Sequence, residues 1–250
     1  ATLFSQGQAS AAHRLPRHIG SVPVNVGASQ QPYALSIDPL AGRLYFLTQP
    51  GFIADGRLGV VDLATETVVQ SVPTTARNGQ LAIDQLGDQV FALHNQLPNY
   101  RLVVYGASTL EFITSFATAA DPRDIAVDET NGRLYVVERR HAGEPSTLAV
   151  FDLTTFALIG RLTIASDGVA LAVNEAHGRV YVAHNAPGIV TVIDGIALTS
   201  LETVPTGVGC APGAIGCSQG LVYDEASGRL YASHGAGVTV IDGTDSSVLD

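Results

Sequence analysis

The chain has 250 residues, 46% of them hydrophobic, and a formal net charge of −10 at pH 7. That is ample apolar material for one large packed domain, and the acidic balance argues against a phosphate-binding surface and so against nucleic acid as a partner. No apolar stretch approaches the roughly 18 residues of a membrane-spanning helix, so no membrane span is encoded.

In chain order, residues 1–17 are polar and read as an amino-terminal tail. Ile19–Val24 follows as a strand. Tyr33–Tyr45 is then the first of five similar phrases: an apolar run closed by Asp38, a small turn, and Gly42-Arg-Leu-Tyr45. The phrase returns at Gln80–Phe91, Asp124–Tyr135, Val169–Tyr181 and Gly220–Tyr231. Between phrases the text predicts third strands over Leu58–Asp62, Leu102–Tyr105, Leu148–Asp152, Val190–Asp194 and Val238–Asp242. Fourth strands are predicted over Thr67–Thr74, Phe112–Ala117, Ala157–Ile164 and Ser200–Pro205. All are rich in β-branched and aromatic residues and are bounded by turn-forming ones.

The aromatics that anchor the phrases are Tyr45, Phe91, Tyr135, Tyr181 and Tyr231, a step of 44 to 50 residues. A period of that length, built from strands alone, is the signature of a β-propeller. The expected fold is therefore all-β: a five-bladed β-propeller of four-stranded antiparallel blades, one domain over residues 18–250. The last unit stops at Ser246-Ser-Val-Leu-Asp250, where its fourth strand should begin. Ile19-Gly-Ser-Val-Pro-Val24 matches Val69-Gln-Ser-Val-Pro-Thr74, so an amino-terminal outer strand is expected to complete the last blade and close the ring.

Asp38, Asp84, Asp128, Asn174 and Asp224 each stand four residues before Gly42, Asp88, Gly132, Gly178 or Gly228. The spacing is that of an Asx-type turn; a Ca²⁺ site is the other reading of such a ring. Arg43, Arg133, Arg179 and Arg229 follow these turns and are expected to pair with the same carboxylates. Cys210 and Cys217 flank the insertion in the longest repeat step and are expected to form a disulfide. A chain that begins at Ala1 and contains no Met is expected to be a processed product or a fragment. With the disulfide, this places the protein outside the cytoplasm: periplasmic, secreted or at the cell surface. The hydrolase and nucleotide motifs G-x-S-x-G, P-loop and H-E-x-x-H are all missing.

Val190-Thr-Val-Ile-Asp-Gly195, Val238-Thr-Val-Ile-Asp-Gly243 and Gly178-Arg-Val-Tyr-Val182 resemble the YVTN family of bacterial and archaeal β-propellers. The resemblance implies a fold found in surface-layer proteins, periplasmic binding proteins and a few redox enzyme subunits. In the family motif Tyr-Val-Thr-Asn, Thr ends the second strand. Here that slot carries Thr48, His94, Glu138, His184 and His234. Imidazole and carboxylate are ligands for Zn, Cu or Fe, and adjacent blades would bring His184 and His234 closest. The alternative is that each side chain caps its own loop, as Thr does in the family.

Two functions stay open. One is a binding or scaffold module that contacts a protein, a glycan or a neighbouring subunit of an assembly. Its binding face would be formed by Tyr33, Thr48, Phe52, Ile53, Arg123, Arg139, Arg140 and His141. The other is a metal-dependent enzyme or metal-binding subunit that uses His184, His234, His94 and Glu138. The cluster Glu138-Arg-Arg-His141 is expected to be a solvated loop.

Overall fold

The computed structural model describes residues 31–49, 56–75, 79–95, 99–140, 143–185, 188–206, 220–235 and 237–249, together with Val22. They form five four-stranded antiparallel sheets, each following chain order. The first blade is β1 (Gln31–Asp38), β2 (Arg43–Gln49), β3 (Gly56–Asp62) and β4 (Thr67–Thr74). The second is β5 (Leu81–Asp84), β6 (Gln89–His94), β7 (Arg101–Gly106) and β8 (Phe112–Ala117). The third is β9 (Asp121–Asp128), β10 (Arg133–Arg139), β11 (Pro145–Asp152) and β12 (Leu158–Ser166). The fourth is β13 (Gly168–Asn174), β14 (Arg179–His184), β15 (Ile189–Asp194) and β16 (Thr199–Pro205). The fifth is β17 (Leu221–Asp224), β18 (Arg229–His234), β19 (Gly237–Asp242) and β20 (Val248–Leu249).

The turn residues set the register of every first hairpin. Asp38 Oδ1 accepts the Ala41 N–H at 2.9 Å, Asp84 Oδ1 that of Gly87 at 2.8 Å, and Asp128 Oδ1 that of Asn131 at 2.9 Å. Asn174 Oδ1 takes the His177 N–H at 3.1 Å and Asp224 Oδ1 the Ala226 N–H at 3.1 Å. These are the Asx turns expected from the spacing, each closed by a residue at positive φ such as Gly132 at 63°.

Because side chains alternate across a strand, each inner blade buries both faces. Tyr135, Val137 and Leu148 pack with Leu171 and Val180 of the fourth blade, whereas Leu134 and Val136 pack with Phe91 and Leu102 of the second. Similar cores join the first blade to the second and the fourth to the fifth. The innermost strands lie side by side in the order β1, β5, β9, β13, β17.

The fifth blade departs from expectation. Its outer position is taken by β20, in register Val240↔Leu249 and Ile241↔Val248, so the chain's own carboxy-terminal residues begin that strand. The expected amino-terminal outer strand Ile19–Val24 lies outside the described residues except for Val22, as does the 1–17 tail. Ring closure is not seen among the described residues either: Leu35 of β1 and Val222 of β17 are exposed, whereas Leu81, Ile125 and Leu171 in the first slot and Ala82 and Ala172 in the second are buried.

Candidate functional site

The second strands end at one rim, and the slot that carries His or Glu is used locally. Thr48 Oγ1 accepts the Arg57 N–H at 2.9 Å, and His94 Nδ1 meets the Thr75 carbonyl. Glu138 is buried, not part of a solvated loop: Oε1 accepts the Ala119 N–H at 2.8 Å and Oε2 the Arg161 Nε–H at 3.2 Å. His184 is fully buried, with Nδ1 3.0 Å from the Ser166 carbonyl and Nε2 2.9 Å from Thr191 Oγ1. His234 Nε2 lies 3.1 Å from Thr239 Oγ1.

A carbonyl only accepts, so His184 carries its proton on Nδ1 and the Thr191 hydroxyl donates to Nε2. The lone pair a metal would need is thereby engaged. Burial also pushes the His184 pKa down, which keeps the ring neutral. Among the described residues no three His, Cys, Asp or Glu are grouped so as to hold a metal ion. The slot ties the strand end to its own third or fourth strand at Thr48, Glu138, His184 and His234, and to the end of the preceding blade's outer strand at His94, Glu138 and His184.

The same rim carries a feature that no sequence pattern announced. Three innermost strands bulge at one register: Tyr33 is the extra residue between Pro32↔Thr48 and Ala34↔Leu47. Arg123 is the extra residue between Glu138↔Pro122 and Val137↔Asp124, and Val169 between Gly168↔His184 and Ala170↔Ala183. A bulge removes a residue from the ladder and re-aims its side chain. Tyr33 is 50% exposed. Arg123 and Arg139 approach the Asp121 carboxylate at 3.4 and 3.1 Å, and Arg139 also reaches Asp167 at 3.3 Å. Arg123 and Arg139 are thus held by acidic partners. Arg140 follows β10 and is exposed, whereas Phe52, Ile53, His141, Cys210 and Cys217 lie outside the described residues.

Deeper along the innermost strands stands Asp124, in a slot that Ala34, Gln80, Ala170 and Gly220 fill elsewhere, so no repeat pattern marks it. Its Oδ2 accepts the Leu171 N–H of the fourth blade at 2.8 Å, and Oδ1 accepts the Ile125 N–H at 2.9 Å. Burial raises its pKa to about 7, against the pull of these two bonds.

On the opposite rim, the turn arginines do not pair with the Asx carboxylates as expected. Arg43 Nη1 and Tyr45 OH both donate to the Ala107 carbonyl of the second blade, at 3.4 and 2.9 Å. Arg179 Nη1 and Tyr181 OH both donate to the Gly243 carbonyl of the fifth, at 3.1 Å each. Arg133 and Tyr135 likewise share the Gly195 carbonyl of the fourth. Each pair latches its blade to the next one. The carboxylates are already occupied by backbone N–H groups, which leaves the guanidinium free to reach across.

No protein-family model matches the sequence, and no curated protein matches it. Solved structures do. A chain of a nidogen/laminin complex aligns with 89% of this chain over 80% of its own length, at 15% identity and a TM-score of 0.60. The RRP9 WD40 repeats align with 89% over 63% of their length, at 12% identity and a TM-score of 0.65. The β-propeller domain of Myceliophteria thermophila Cps50 (Swd1) aligns with 91% over 70%, at 11% identity and a TM-score of 0.64. The fold is a β-propeller. At these identities the likeness extends to the path of the backbone and no further, so the propeller's function rests on its own residues.

Proposed function

We infer that this β-propeller is a binding scaffold whose rim, at the start of the innermost strands, meets a protein partner. One observation carries the reading: the bulges that re-aim Tyr33, Arg123 and Val169 fall at one register in three blades. The slot holds an aromatic, a cation and an aliphatic residue on a frame that otherwise repeats. A rigid frame that varies one presented position is how propellers and other repeat folds build binding faces. The nidogen/laminin neighbour comes from a protein complex, in keeping with a protein as the partner. An extracytoplasmic location belongs to the same reading, and a mass measurement with and without reductant tests it through the Cys210–Cys217 bond.

The functional test is capture of binding partners from the source organism by the wild-type chain and by a Tyr33→Ala/Arg123→Ala variant. The variant should fold normally, since a bulged residue contributes little to the ladder, and should lose the partners. Retention of the same partners would move the site off this rim. A partner that glycosidase treatment releases would identify a glycan instead.

A further inference from the structure

On the rim opposite the bulges, the innermost hairpin turns of adjacent blades are tied to one another. Glu129 of the third blade accepts the Gln85 N–H of the second, and Glu175 of the fourth accepts the Thr130 N–H and hydroxyl of the third, at 3.1 and 2.9 Å. Among the described residues the first and second blades lack this tie. Gln85 stands in the glutamate's place, and the position that donates in the second blade is Pro39 in the first, which has no N–H to give. Gln85 Oε1 is left buried without a donor. At the next turn position these two blades carry Leu40 and Leu86, 81% and 79% exposed, the highest values for any large apolar side chain among the described residues. Thr130, Ala176 and Ala226 hold that position in the other blades and are exposed as well. The exposure therefore belongs to the turn and owes nothing to where the chain begins or ends.

The ground around the two leucines is acidic. On this rim the turns of the first two blades hold Asp38, Asp62, Glu66, Asp84, Asp88 and Glu111 against one cation, Arg43, whose guanidinium donates to the Ala107 carbonyl. Gln89 fills the position that is Arg43, Arg133, Arg179 or Arg229 in the other blades, so the second blade adds no positive charge. The Leu63 N–H bonds the Gly42 carbonyl, and the Ala107 N–H bonds the Asp88 carbonyl. These bonds hold the outer turns, which carry Asp62, Glu66 and Glu111, against the turns that bear the leucines. Glu66, Asp88 and Glu111 are exposed. Two neighbouring turns thus exchange Thr or Ala for Leu and give up a tie between blades, a local departure from the repeat of the kind that function, not folding, accounts for.

We propose that Leu40 and Leu86 form a second docking surface, for a segment of a protein partner that carries apolar side chains between lysines or arginines. The leucines supply the apolar contact. The six carboxylates around them complement the flanking cations, which steers the approach and disfavours acidic segments. This surface lies on the rim opposite Tyr33 and Arg123 and does not rest on what that rim binds.

Selection from a displayed library of random peptides on the immobilised full chain tests this. The recovered peptides should place leucine or phenylalanine beside lysine or arginine, and their binding should weaken as ionic strength rises from about 0.05 to about 0.5 M. Leu40→Gln/Leu86→Gln should weaken it by about tenfold or more, the effect of losing a leucine contact. Glu66→Gln/Glu111→Gln should weaken it and flatten its salt dependence. Both leucines are exposed, so the leucine variant should melt with the wild type. A marked fall in its melting temperature would overturn the proposal by showing that the chain's own residues cover the pair. Peptides that are acidic, or that bind the leucine variant as tightly, would overturn it in favour of another surface. Peptides lost on Tyr33→Ala/Arg123→Ala instead would assign the binding to the opposite rim, and a selection that enriches no peptide would leave this rim without the proposed role.

Discussion

Asp124 is the residue whose chemistry differs most from its text. A carboxylate that accepts two backbone N–H bonds would ordinarily titrate low, but burial beside the neighbouring innermost strand outweighs them and raises its pKa from 3.8 to about 7. The folded chain therefore holds this proton more tightly than the unfolded chain does. The stabilisation is complete below the ordinary carboxylate pKa and is lost as pH rises through about 7. Asp124→Asn should flatten the fall in melting temperature between about pH 4 and pH 7; an unchanged slope would assign that fall to other groups. A second residue-scale effect recurs in every blade. Glu66, Leu110, Phe156, Leu198 and Ser246 occupy one slot in the turn before the fourth strand, all at positive φ between 54° and 62°. Glu66 is exposed and gains no packing in return. Glu66→Asn, which tolerates this conformation better, should raise stability by about 1 kcal/mol in chemical denaturation.

At the scale of the element, the blade-to-blade latch explains why the anchoring aromatic is nearly always Tyr. The ring fills the inter-blade core and the hydroxyl satisfies a carbonyl of the next blade. In the second blade Phe91 replaces it and packs edge-on against Phe156, with centroids 6.1 Å apart. Tyr45→Phe, Tyr135→Phe and Tyr181→Phe should each cost about 1 kcal/mol, the worth of one buried hydrogen bond. Tyr231→Phe should cost nothing measurable in the dilute monomer. Equal losses at all four positions in urea titrations would show that Tyr231 also has a latch partner. The outer strands repeat a device of their own: β4, β8, β12 and β16 all bulge at one shared register, leaving Val69, Ile113, Ile159 and Leu201 out of the ladder and exposed, and β12 bulges a second time near its end. A bulge there twists the edge away from pairing with another sheet. The His slot was legible as a repeat, but its use was not, because capping and metal binding ask for the same residue types at the same spacing. Only the positions of Ser166 and Thr191 around His184 separate them.

For the whole molecule, a stack of units that touch only their neighbours should be most stable in the middle. β9–β12 of the third blade are covered on both faces, whereas β17–β20 of the fifth are covered on one. Amide hydrogen exchange should therefore be slowest in the third blade and fastest in the fifth. Uniform protection at low concentration would point to a closed ring. The sequence by itself determined the period, the strands, the Asx turns and hence a five-bladed repeat, since all of these depend on residues close together in the chain. The tertiary structure alone decided where the turn arginines donate, which rim residues leave the ladder, and that Asp124 spans two blades. Those depend on which blade lies beside which and at what curvature, and a repeat that writes nearly the same sentence in every unit carries no local signal of either.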